Sequence, residues 1–165
     1  MLFSFSSGQS KRDWENKEET TGSPESELSV AYLQDIAVMQ DLEQANASFY
    51  TLFESADIEG MTKLWVNSDE AWCTHPGWPT IFGWEQIRVS FEQIFSGPEP
   101  PQFLTSNVRC HGDSQTAWVF VEENLLGSSL SAVAAVNVFK KNQGLWKMVG
   151  HQAAPLIPDL DLRAG

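Results

Sequence analysis

Between residues 40 and 54 the apolar side chains Leu42, Ala45, Phe49, Leu52 and Phe53 recur at steps of three and four, the stripe of an amphipathic helix lying on a core. The stretch before it, residues 28–39, repeats Leu28, Ala31, Tyr32, Ile36 and Met39 at similar spacing, which predicts an accessory helix or an earlier start of the same one. Asp57 is placed to cap a short second helix, IEGMTKLW, because its carboxylate can accept from the free N–H groups of the first turn. AWCTHP then predicts a short strand, broken by Pro76-Gly77. Ile87, Phe91, Ile94 and Phe95 stripe a third helix over residues 84–95, with Gly97-Pro98 as its stop.

After that the period changes from helical to alternating. FLTSNVRC, TAWVFVEENLLG, SLSAVAAVNVFKK and GLWKMVGHQ are apolar, β-branched runs separated by the turn signals HGDS, GSS and NQG. Helices first and a meander afterwards predict an α+β fold with the helices on one face of a sheet. In the second of these strands Trp118, Phe120 and Glu122 fall on one face and Ala117, Val119, Val121 and Glu123 on the other. Both faces are apolar up to the two glutamates, so both are expected to be covered, one by the helices and the other by a pocket lid or, in a homodimer through the sheet, by a second subunit.

Composition changes this picture mainly at the ends. Residues 1–27 mix Ser, Gly, Pro and charges and cannot repay their ordering entropy, which predicts a disordered arm before the accessory helix. A domain over residues 40–156 follows, and residues 157–165 form a tail. Ten basic against 22 acidic side chains give a net charge of -12, which repels phosphate backbones and anionic headgroups, so neither nucleic acid nor membrane is an expected partner. The start of the chain lacks the apolar core of about 7 to 15 residues that a secretory signal needs, and no stretch approaches the roughly 18 apolar residues of a membrane span. Cys73 and Cys110 have no metal or redox spacing and read as unpaired thiols. The expected location is cytoplasmic.

Several of these segments together resemble a known family. HPGWP (residues 75–79), FGWEQIRVSFEQIF, AWV, NVFKK and WKMVGHQAAP occur in the order found in SnoaL-like domains of the nuclear transport factor two-like superfamily. The resemblance implies a cone-shaped α+β barrel, three N-terminal helices packed on a strongly curved, mostly antiparallel sheet, enclosing a pocket. Ketosteroid isomerase, dehydratases, cyclases and non-catalytic association modules share this plan, so the fold alone does not name the function. Such sequences commonly end on a strand of the type V-H-H-H-A-S-P. Here the matching positions are Gly150, His151 and Gln152, so only the middle histidine is present.

The chemistry-bearing residues are few. His75 closes a strand before a rigid turn, and His151 lies late in the last strand; an imidazole titrates near pH 6.5 and suits proton transfer if both side chains reach one cavity, while each serves equally well as a satisfied structural histidine. Glu122 and Glu123 are adjacent, so a strand sends them to opposite faces, and whichever points inward is a candidate general base. Trp78, Trp84 and Trp118 are candidate walls of a ligand site and Asn137 a candidate polar anchor, although aromatic residues fill cores just as readily. The chain lacks G-x-S-x-G, G-x-x-x-x-G-K-[ST] and H-E-x-x-H, so no nucleophile elbow, phosphate loop or metal pair is expected. The expected ligand is a hydrophobic small molecule. The expected activity is cofactor-free, metal-free acid and base chemistry: isomerisation, cyclisation or dehydration of a carbonyl compound. The alternative is a non-catalytic binding or dimeric assembly module.

Overall fold

The computed structural model describes residues 24–126 and 132–156. Helix α1 runs Pro24–Glu54, α2 Ile58–Leu64 and α3 Trp84–Phe95; the strands are β1 Trp72–Thr74, β2 Ile81–Phe82, β3 Phe103–Gly112, β4 Thr116–Leu125, β5 Val133–Asn142 and β6 Leu145–Pro155. The segment expected as an accessory helix is thus continuous with the main one, and α1 also takes in residues 24–27, which were expected in the arm. The rest of that arm, the GSS turn signal with the rest of residues 127–131 and the tail at 157–165 lie outside the described residues.

The six strands form one sheet in the order β2-β1-β6-β5-β4-β3, antiparallel throughout except for the parallel pair β1 and β6. The parallel pairing follows from chain order: α2 and the loop after it return the chain to the edge of the strand that will be made last. The two outer strands, β2 and β3, do not pair with each other, so the sheet of the expected cone-shaped barrel is open at its edges and does not close on itself. β2 itself, two residues paired with β1 across the HPGWP turn, is too short to leave a periodic signal in the sequence.

Local signals account for the remaining boundaries. Asp57 caps α2 as expected, its Oδ1 accepting from the Gly60 N–H at 2.8 Å. The helices lay one apolar stripe each on the sheet: Leu42, Phe49 and Phe53 from α1, Met61 from α2, Ile87 and Phe91 from α3 are buried against Val119, Val121, Val133, Phe139 and Met148. Each fully buried large side chain of this kind contributes about 1.5–3 kcal/mol by leaving water.

The alternation read in β4 is realised. Ala117, Val119, Val121 and Glu123 are buried under the helices, while Trp118 and Phe120 stand 39% and 49% exposed on the opposite face. Helices therefore cover one face of β4, and the other is open in the single chain.

Candidate functional site

Three elements bring polar side chains to one apolar cavity of about 240 Å³. The end of β1 and the turn after it supply His75, Pro76 and Trp78, β4 supplies Glu123, and β6 supplies His151; Phe49, Phe53, Phe103, Ile94 and Leu125 complete the walls. β1 and β6 are hydrogen-bonded neighbours with Cys73 opposite His151, so the two histidines fall near each other, their ring centres 6.4 Å apart. The rigid Pro76-Gly77 turn, with Gly77 at φ 79° and the Trp78 N–H donating to the His75 carbonyl, presents the Trp78 ring edge-on to His75 at 5.2 Å.

Behind the cavity runs a buried hydrogen-bond chain. His151 Nδ1 lies 2.6 Å from Asn137 Oδ1, and the Asn137 amide donates to Asn46 Oδ1 at 2.8 Å and to the Tyr50 hydroxyl at 3.2 Å. Tyr50 in turn donates to Glu123 Oε1 at 2.7 Å. Because both Asn137 amide hydrogens are used toward α1, its oxygen faces His151 and accepts, so His151 carries its proton on Nδ1. His75 Nε2 lies 2.9 Å from Ser90 Oγ, whose own hydrogen goes to the Ile87 carbonyl at 2.7 Å; the serine oxygen therefore accepts, and His75 carries its proton on Nε2.

Burial sets the charges. Glu123 is pushed up from 4.5 to about 7, because desolvation of the carboxylate outweighs the Tyr50 hydrogen bond that favours its ionised form. His75 is lowered from 6.5 to about 4 by burial, and His151 to about 3 by burial with added repulsion from His75. Both imidazoles are neutral at pH 7, and Glu123 is poised near half-ionisation. Cys73, with Sγ 3.8 and 3.9 Å from the two His75 ring nitrogens, has its thiol pushed upward by burial and by Glu123, which opposes a thiolate role.

Residues 42–158, most of the chain, match the SnoaL-like domain family. The chain belongs to the SnoaL-like domain family. An F-box protein of Arabidopsis thaliana, SKIP8, is 26% identical over 114 residues, covering 69% of this chain and 49% of that protein; this SnoaL-like chain thus spans about half the length of the curated relative that it matches. Among solved structures, a candidate dehydratase of the NTF2-like family from Streptomyces avermitilis is 26% identical with a TM-score of 0.66, covering 73% of this chain and 97% of that one. A candidate calcium/calmodulin-dependent protein kinase type II association domain from Thiobacillus denitrificans is 25% identical with a TM-score of 0.63, covering 70% and 94%. An NTF2-like protein of unknown function from Pseudomonas putida, at 12% identity and a TM-score of 0.61 over 75% and 91% of the two chains, shares the fold.

Of the residues singled out in the sequence, His75, His151, Glu123 and Trp78 meet in the SnoaL-like cavity. Asn137 is fully buried one layer behind it and acts on His151. Three others stand elsewhere. Glu122 points to the opposite face of β4, where it accepts from Asn107 Nδ2 at 2.6 Å. Trp84 is core, stacked on Trp65 at 5.9 Å, because it opens α3 on that helix's buried side. Trp118 lies on the open sheet face against His111. The strand period placed Glu122 and Trp118 together on one face, and only the packing of the helices shows that this is the face away from the cavity.

Asn46, Tyr50 and Ser90 were missed. Asn46 and Tyr50 sit at i and i+4 on α1, flanking Phe49 and Phe53, and Ser90 follows Ile87 by three on α3; polar side chains inside an apolar stripe were the available signal. The absent family histidine at position 150 also has a cause. Gly150 pairs with Trp72, and a Cβ there would come within 2.2 Å of the Trp72 ring, so the indole fills the space of a side chain.

Proposed function

We propose that this SnoaL-like domain binds a compact hydrophobic small molecule in the cavity and moves a proton on it without a cofactor, with Glu123 as the proton carrier. One observation carries the reading: a carboxyl group buried in an apolar cavity, with a pKa of about 7 and a hydroxyl fixing one oxygen. A group poised there is able to take a proton from carbon or oxygen and return it at neutral pH, which contributes about 10²- to 10⁴-fold in rate. Isomerisation, cyclisation and dehydration are the reactions that such a site serves, and the similarity to a candidate dehydratase supports the last of them. The cavity lies below the roughly 300 Å³ at which ligand sites usually begin, which favours a single-ring compound over a fused polycyclic one.

The test is a thermal-shift screen of small cyclic hydroxy and carbonyl compounds, followed by turnover assays of each stabilising compound with Glu123→Gln. We expect binding to survive the substitution and turnover to fall at least about 100-fold. A substrate turned over equally well by the variant overturns the role of Glu123.

A second reading is favoured by the open face of the sheet, where Trp118, Phe120, Ala134, Val136 and Ala154 form an apolar surface. On that reading the domain is an assembly module, a homodimer through the sheet, and the similarity to a candidate association domain supports it. The two readings are compatible, because the cavity and this surface lie on opposite faces of β4. We infer a cytoplasmic location from the free thiols of Cys73 and Cys110, which suit a reducing compartment; among the described residues no helix is long and apolar enough to cross a membrane.

A further inference from the structure

The two histidines differ in which nitrogen is bonded, yet they present the same thing to a ligand. His151 spends its Nδ1–H on Asn137, and His75 spends its Nε2–H on Ser90. Neither acceptor has a proton to offer in return: both Asn137 amide hydrogens are committed to Asn46 and Tyr50, and the Ser90 hydrogen is committed to Ile87. Among the described residues His151 Nε2 has no hydrogen-bond partner, and His75 Nδ1 has only the Cys73 sulfur at 3.9 Å. Both free ring nitrogens are therefore lone-pair acceptors, and burial keeps a second proton off them at neutral pH. Glu123 supplies more acceptor oxygens than donors.

Resting on the proposed binding of a small molecule in this cavity, we propose that the ligand is one that donates a hydrogen bond, a ring bearing a hydroxyl group directed at His151 Nε2, and not a plain ketone, aldehyde or ether. A carbonyl oxygen set against these nitrogens meets lone pairs instead of donors, leaving acceptors buried and unpaired on both sides. An alcohol or phenol of the same size gives its one hydroxyl hydrogen to His151 Nε2. Sites built to pair a ligand hydroxyl discriminate strongly against analogues without one, whereas apolar walls such as Phe49, Phe53 and Phe103 accept both. The network thus selects within the broad class of hydrophobic ring compounds.

The experiment uses two matched pairs on the full chain: phenol against anisole, and cyclohexanol against cyclohexanone. Binding is measured by titration followed in long-range ¹H–¹⁵N spectra of the histidine rings. We expect the free protein to show His151 as the Nδ1–H and His75 as the Nε2–H tautomer. We expect phenol and cyclohexanol to bind at least about tenfold tighter than their partners, with a shift of His151 Nε2 on binding. In His151→Phe, the hydroxyl preference should shrink. Equal affinity within both pairs, or the opposite tautomers, overturns the donor requirement and leaves the small-molecule site standing. Failure of all four compounds to perturb any cavity residue at millimolar concentration overturns the site itself.

Discussion

Glu123 and the two histidines pull stability in opposite directions with pH. In the folded chain Glu123 keeps its proton to about pH 7 instead of 4.5. Between those values the folded state holds a proton that the unfolded state has released, so stability falls as pH rises through the window, by on the order of a few kcal/mol in all. His75 and His151, depressed to about 4 and about 3, act the other way: below pH 6.5 the unfolded chain takes up protons that the folded one refuses, so stability falls as pH falls. Two groups against one make the acid side the weaker. Glu123→Gln removes the alkaline arm alone, and its stability relative to the parent should be higher at pH 8 than at pH 5 in urea unfolding. A difference that does not change with pH would show that Glu123 is not raised.

At the scale of elements, α1 is tied to the sheet by polar as well as apolar contacts. Asn137 on β5 reaches Asn46 and Tyr50 on α1, and holds His151 on β6. Such a node is costly to break, because each partner left behind is buried. Asn137→Ala should cost about 2–4 kcal/mol in chemical denaturation, from a small cavity plus unpaired groups, whereas Asn124→Ala, whose amide is on the outer face against the Leu104 carbonyl, should cost less than about 1 kcal/mol. Equal losses at both sites would mean that the buried chain contributes nothing beyond packing. The helix stripes and the strand alternation were legible in the sequence because burial on one side imposes a period on apolar residues. Asn46, Tyr50 and Ser90 broke that period, and a polar residue in a stripe reads as an interruption until its partner, distant in sequence, is known.

At the scale of the whole molecule, the outer sheet face stands uncovered in the single chain. An apolar surface carrying Trp118 and Phe120 is unusual on a monomer, and a second copy of the same face would cover it. Light scattering at micromolar concentration should return twice the chain mass. Phe120→Glu, an outward-facing change that leaves the cavity untouched, should return the single-chain mass without loss of the cooperative unfolding transition. A monomer in the unaltered protein would remove the dimer and leave the face for another partner. The two faces of β4 make the assembly and the cavity separable in such an experiment.

The sequence alone determined the order of the helices and of the longer strands, the α+β class and the family resemblance, and named two histidines and two adjacent glutamates as candidates, because each is encoded in local periodicity or a contiguous motif. Tertiary structure decided what periodicity cannot express. It showed that the sheet stays open, since β2 and β3 do not meet. It selected Glu123 over Glu122 and set Trp118 apart from the cavity, since the helices cover only one face of β4, and it placed Trp84 in the core on the buried side of α3. It also brought Asn46, Tyr50, Ser90 and Asn137 from distant segments to hydrogen-bonding distance, which assigns the histidine tautomers, and buried Glu123 away from water, which pushes its carboxyl up.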